Sequence, residues 1–295
     1  MKQQSLLLRT VVLFLLSLGV VFLLVACGGS RQPKQDPKKS GETHQEQPSL
    51  PKDEKEQARK SFLQDNDKAS VVVINFTGEK CYACPQMAKK VRQAEESMAP
   101  NYILVAMHCF FSFSPNYYNE EADIFAFKRY SIGAIPALRI NNIYEGLKVN
   151  VSDEKINEEL SKPDRYKTYI NVERKERTVE VKYLADIRPQ FKEEEKNRKL
   201  KVLFWITEDK LISPQKDKNG VIEKYEHKNI FRGALSSTPL QDLYYGKRYT
   251  PGVLYKGSFR LPETVSDPAN CRIIALLTDI EDSNRFVDAL RVSIP

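Results

Sequence analysis

The sequence predicts an α/β layered domain followed by an all-β sandwich. Three observations carry this reading. Buried-type apolar runs alternate with helical periodicity through residues 71–160. A Cys-x-x-Cys pair, Cys81 and Cys84, stands where the first such run hands over to a helix. After Lys162-Pro163-Asp164 the helical period almost disappears, and short alternating strands separated by turn residues take its place.

Val71-Val72-Val73-Ile74-Asn75 is apolar, β-branched and bounded by polar residues, which predicts a buried strand. Met87, Val91, Ala94 and Met98 then recur at helical spacing, with Lys89, Lys90, Arg92, Glu95 and Glu96 on the other face. Pro85 suits the first helical turn, where its missing N–H costs nothing. Cys81 and Cys84 thus lie at a helix start, where free amide N–H groups and the helix dipole stabilise a thiolate. Lys80 adds positive charge, and Cys81, the earlier of the two, is expected to be the more exposed. As a redox dithiol, Cys81 would be the nucleophile and Cys84 the resolving thiol. A lone Cys-x-x-Cys also fits half a zinc site or a structural disulfide.

A second stretch narrows the choice. Tyr130-Ser131-Ile132-Gly133-Ala134-Ile135-Pro136-Ala137-Leu138-Arg139-Ile140 resembles the segment around the cis-proline of thioredoxins. The resemblance implies a thioredoxin-like domain with Pro136 cis and its loop packed against the Cys-x-x-Cys. Asn75 falls where thioredoxins keep a buried Asp, Lys80 where they place a Trp, and Tyr82-Ala83 replaces Gly-Pro. Asn75 cannot titrate, so the proton acceptor that helps the resolving thiol is missing from that position.

Tyr102 to Met107 reads as a second buried strand. The stretch from His108 to Tyr118 is aromatic, broken by Pro115 and too irregular for a strand. It is either a rim that binds a partner near the dithiol or a loop folded over its own small core. His108, at the strand end, is expected to be satisfied by local hydrogen bonds. Asn119 caps a helix running to Tyr130, with Ile124 and Phe127 expected to face inward. Ile135 to Ile140 is the next strand, and Val149 to Leu160 a last helix.

Beyond Pro163, Tyr166, Thr168, Ile170 and Val172 alternate with polar residues, as do Val179, Val181 and Tyr183. Leu200 to Ile206 and Cys271 to Leu277 are core-type strands, and Leu290, Val292 and Ile294 form a last alternating one. Lys218-Asn219-Gly220 and Thr250-Pro251-Gly252 read as turns. This pattern predicts a β-sandwich of the immunoglobulin-like kind over 163–295. No ligand cluster surrounds His227.

The N-terminus has its own signature. Lys2 and Arg9 precede an apolar run from Val11 to Val25, followed by Leu24-Val25-Ala26-Cys27-Gly28-Gly29. Leu-Val-Ala-Cys resembles the bacterial lipobox, which implies a signal peptide over 1–26, lipid (palmitate included) on Cys27 and membrane attachment through it. Residues 27–54, polar and rich in Pro, Gln and Lys, read as a tether. The thioredoxin-like domain is placed at 55–162. Of 295 residues, 41% are hydrophobic and 29% charged, and the formal charge is +7. The basic residues are interspersed with acidic ones and form no stripe with interleaved aromatics, which argues against nucleic-acid binding. Lipidation places the body in an oxidising compartment. Cys81 and Cys84 are expected to pair, while Cys109 and Cys271, each at the edge of an apolar strand, are expected to be buried thiols.

Thr77-Gly78-x-x-Cys81-x-x-Cys84-Pro85, the lipobox and a β-rich second half containing Tyr225-Glu226-His227-Lys228-Asn229-Ile230-Phe231-Arg232 together resemble one family. It is the 28-kilodalton outer-membrane-protein family of thioredoxin-like bacterial lipoproteins. The resemblance implies an outer-membrane lipoprotein with its body in the periplasm or at the cell surface. Three functions fit the residues. The first is a thiol–disulfide oxidoreductase acting on protein or peptide thiols and disulfides through Cys81, Cys84 and Pro136. The second is a non-enzymatic binding or adhesion lipoprotein in which the Cys-x-x-Cys is a structural disulfide. The third is a metal carrier using Cys81, Cys84 and His108 or Cys109. The first leads this reading, with no cofactor and no resident metal.

Overall fold

The structure is a computed structural model describing residues 56–57, 60, 69–143, 153–235 and 246–295. The signal segment, Cys27 and the tether lie outside the described residues.

The first half builds β1 (Val71–Thr77), α1 (Cys84–Met98), β2 (Tyr102–His108), α2 (Glu120–Tyr130), β3 (Ala137–Ile140) and α3 (Asp153–Leu160). β1 pairs with β2 in parallel and with β3 in antiparallel fashion. All three strands are buried along their whole length, as uninterrupted apolar runs require when both sheet faces are covered. On one face, Val71, Val73, Tyr102 and Leu104 pack with Val91 of α1 and Ile156 of α3. On the other, Val72, Ile74, Phe76, Ile103 and Val105 pack with Phe125 and Tyr130 of α2.

Helix α2 starts as the sequence predicts: Asn119 Oδ1 accepts a 2.9 Å bond from the Ala122 N–H. It ends at Ser131, whose left-handed φ of 50° caps the last turn. Its inward stripe differs from the expectation. Ala122, Phe125, Ala126 and Tyr130 are buried, whereas Phe127 is exposed. Phe76 and Trp205 receive the Phe125 ring at 6.3 and 5.7 Å, and that contact sets the rotation of the helix.

The second half supplies β4 (Tyr166–Lys175), β5 (Thr178–Ile187), the short α4 (Lys192–Glu195), β6 (Leu200–Glu208), β7 (Leu211–Asp217), β8 (Gly220–His227), β9 (Ile230–Ala234), β10 (Lys247–Tyr249), β11 (Tyr255–Arg260), β12 (Cys271–Asp279) and β13 (Arg285–Ser293). Five of these strands extend the first sheet. Its order is β13-β12-β6-β9-β2-β1-β3, with β10 beside β6, making eight strands. The halves meet where β2 runs parallel to β9, with Ala106 opposite Ile230 and the Ala106 N–H donating to the Asn229 carbonyl at 2.8 Å. Residues on either side of the expected 162/163 boundary therefore share one sheet.

A three-stranded sheet, β11-β5-β4, covers one face of the extension. Tyr166, Val181 and Tyr183 pack there against Val202, Phe204, Ile273 and Ala275. Alternate residues of the same strands, Trp205, Ile274 and Leu276, point to the opposite face and join the α2 core. The fold is mixed α/β and chiefly sheet. β7 and β8 stand apart as a two-stranded hairpin, turning at Lys218-Asn219 into Gly220, whose φ of 132° suits glycine alone.

Candidate functional site

β1 ends at Thr77, and Gly78 opens the loop that carries Cys81 and Cys84 to the start of α1. An added Cβ on Gly78 would lie 2.7 Å from Ser114 Oγ and 2.9 Å from the Phe113 carbonyl, so the loop passes too close to its neighbour for a side chain. The Lys80 N–H donates to that same Phe113 carbonyl at 2.8 Å. Pro85 occupies the first turn of α1, and Cys84 is its first residue.

Cys81 and Cys84 form a disulfide. Cys81 Sγ lies 3.6 Å from the Ile135 carbonyl oxygen, and the Ile135–Pro136 peptide is cis. Cys81 is more exposed than its partner, yet only slightly: 4% against 1%. The order of exposure is the one the sequence predicts, but both residues are buried. The neighbouring Tyr82 side chain points outward instead.

What covers the pair comes from the second half of the chain. Gln215 of β7 donates from Nε2 to the Gly78 carbonyl at 3.3 Å and to the Cys81 carbonyl at 3.2 Å. The adjacent Lys216 N–H donates to the Glu79 carbonyl at 2.7 Å. Pro214 sits opposite a register shift in the ladder, a position that proline tolerates, and regular alternation along β7 turns Leu211, Ser213 and Gln215 to the buried side. Arg92 of α1 donates to the Glu226 carbonyl at 3.3 Å, holding the other strand of the hairpin.

Beneath the hairpin lies a buried polar centre. Glu79 accepts backbone N–H bonds from Asn116 and Tyr117 at 3.0 and 3.1 Å, and its other oxygen lies 3.2 Å from His108 Nδ1. Burial pushes the Glu79 carboxyl up, but the His108 bond and charge with the backbone donors outweigh it and leave it below the ordinary range. His227, from the end of β8, places Nε2 3.0 Å from Ser213 Oγ, and its ring meets His108 edge-on. Burial, with the nearby His108, lowers the His227 pKa to about 3, so it is neutral at pH 7. A cavity of about 20 Å³, enough for about one water-sized group, lies among Asn75, Cys84, His108 and His227. Asn75 Oδ1 is buried and has no hydrogen-bond partner among the described residues.

Sequence reasoning placed His108 at a strand end and found it locally satisfied, which Glu79 confirms. It named His227 without a role, and the contact with His108 depends on a pairing that no local pattern signals. Cys109 and Cys271 are both buried free thiols. Burial first, then nearby carboxylates, pushes each up to about 12. Among the described residues, no group of three or more His, Cys, Asp or Glu could hold a metal ion.

The aromatic stretch after β2 divides. Ser114 is buried and bonds the Cys109 carbonyl, and Phe110 packs on the core, while Phe111 and Phe113 are exposed. No described helix is long and apolar enough to cross a membrane.

The family model described as outer membrane protein Omp28 matches residues 126–293. No curated protein matches the chain. Among solved structures, HBP35 of Porphyromonas gingivalis is similar with a TM-score of 0.61 and 13% identity, covering 78% of this chain and 77% of that one. A structural-genomics protein of Agrobacterium tumefaciens gives 0.48 at 11% identity, over 77% of this chain and 95% of its own. A domain of the outer membrane lipoprotein Omp28 from Porphyromonas gingivalis gives 0.30 at 14% identity, over 43% and 93%.

Proposed function

Because the chain belongs to the outer membrane protein Omp28 family, we propose that it is a non-enzymatic binding lipoprotein of the outer membrane in which Cys81–Cys84 is a structural disulfide. The observation that carries this reading is the burial of both sulfurs beneath Gln215. Thiol–disulfide exchange needs a sulfur that an incoming thiolate can reach in line, and the closed loop leaves Cys81 only 4% exposed, which makes exchange slow. This reverses the order in which the sequence alone ranked the functions.

Cys27 carries the lipid in this proposal, and the body, held by residues 27–54, lies in the periplasm or at the cell surface. A thioredoxin-like reading of the first half is supported by the β1–α1–β2 order, the Cys-x-x-Cys at the start of α1 and the position of Pro136 beside it. A sandwich reading of the second half is supported by β4, β5 and β11 packing on β6 and β12. The immunoglobulin-like form of that sandwich rests on strand patterning alone.

One observation favours the oxidoreductase as a second reading: Cys81 Sγ lies against the Ile135 carbonyl just before Pro136, the place the thioredoxin resemblance assigns to the peptide groove. Protein or peptide disulfides would then be the substrates. The reduction potential of the pair decides between the two. A value below about −300 mV is expected of the structural disulfide, and one of roughly −200 mV or higher overturns that reading.

A further inference from the structure

The β7–β8 hairpin is joined to neither of the larger sheets. A two-stranded hairpin is marginal by itself, so its place depends on what it touches. Its outer side is bare: Ile212, Val221 and Ile222 are exposed. Its inner side is tied to the Cys81–Cys84 loop by Gln215 and Lys216, through the carbonyls of Gly78, Glu79 and Cys81. From this arrangement we infer that the hairpin is a redox-keyed strap, closed on the loop in the disulfide form and released when the disulfide is reduced.

The chemistry is a two-electron exchange with a dithiol. One reductant thiolate attacks a sulfur of the pair and breaks the S–S bond, and its second thiol displaces the mixed disulfide. The reductant leaves as a disulfide, and Cys81 and Cys84 each gain a proton. Two sulfurs at bonding distance become two thiols at contact distance. The room beside Cys84 is one water-sized cavity, lined by Gln215 and His227 of the hairpin, so the change is felt there. Cys84 is 1% exposed, and Val91 packs against the buried Val71, Val73, Tyr102 and Leu104 behind it. The Cys81 carbonyl accepts both the Cys84 N–H and the Gln215 amide, so movement of Cys81 reaches the hairpin directly. The hairpin belongs to neither larger sheet, so it yields before the strands behind the pair.

The coupling runs both ways by linkage: what the disulfide adds to hairpin closure, closure adds to the disulfide. Opening also uncovers His227 and Ser213 on the hairpin, and Glu79 and His108 beneath it. The inference stands whether the pair is catalytic or structural, because it concerns what the hairpin does and not the value of the potential.

Amide hydrogen exchange on the full chain, oxidised and then reduced with excess dithiothreitol, tests it. Reduction is verified by a mass gain of two hydrogens. Amides of β7 and β8 should exchange about tenfold faster in the reduced protein, the equivalent of one or two lost hydrogen bonds, with β12 and β13 unchanged. Gln215→Ala, in the oxidised chain, should raise hairpin exchange and speed reduction by dithiothreitol by about the same factor. Equal hairpin exchange in the two states overturns the inference. So does an equal loss of protection in every strand, which would make the disulfide a fastener of the whole fold.

Discussion

His227 and His108, 119 residues apart in the chain, meet edge to face with ring centroids 5.4 Å apart. Glu79, Arg92, Ser213, Tyr117 and Tyr225 surround them. The unfolded chain protonates His227 near pH 6.5, whereas the folded chain holds it neutral down to about pH 3. Between those values the unfolded state binds more protons, so stability falls as the pH is lowered. The full effect, reached below about pH 3, is up to roughly 5 kcal/mol. Urea midpoints should drop between pH 6.5 and 4.5, and His227→Gln should flatten that drop. An equal slope in the variant would show that carboxylates alone cause it.

Gly78→Ala should destabilise the protein by about 1–3 kcal/mol, because the new methyl meets Ser114 Oγ and the Phe113 carbonyl closer than contact distance. Ser114→Gly alone loses the buried bond to the Cys109 carbonyl, but in that background Gly78→Ala should cost less than it does in the native chain, because the methyl no longer meets the hydroxyl. Thermal unfolding of the three variants measures this. Unchanged stability in Gly78→Ala would mean that the loop shifts freely.

Cys109 and Cys271 should resist maleimide at pH 8 in the native protein, since both are buried and poorly ionised. In denaturant both should react within minutes. Mass spectrometry after timed labelling counts the adducts. A fast-reacting native thiol would show that one of the two strand edges opens.

Much of the first half was legible in the residues. The run from Val71 to Asn75, the stripe on α1 and the Asn119 cap each depend on near neighbours, and the structure keeps all three. The inward face of α2 was not legible. Ile124 with Phe127, and Phe125 with Tyr130, are both acceptable apolar stripes. The choice between them is made by Phe76 and Trp205, one of which lies 80 residues away. The same limit hid the site. Alternation along β7 shows which side of the strand is buried, but not which element it adjoins. Gln215 over Cys81, Ile230 beside Ala106 and His227 against His108 all depend on such long-range choices.

The placement of Ile230 beside Ala106 also bears on how the molecule is made. The ribosome delivers everything up to Leu160 well before β9 exists, so the early segment leaves one flank of β2 without its neighbour. A bare flank of that kind is a template for joining other chains. An exported polypeptide built this way stays vulnerable until its last third has arrived, and a chain cut short at residue 162 would keep that vulnerability permanently.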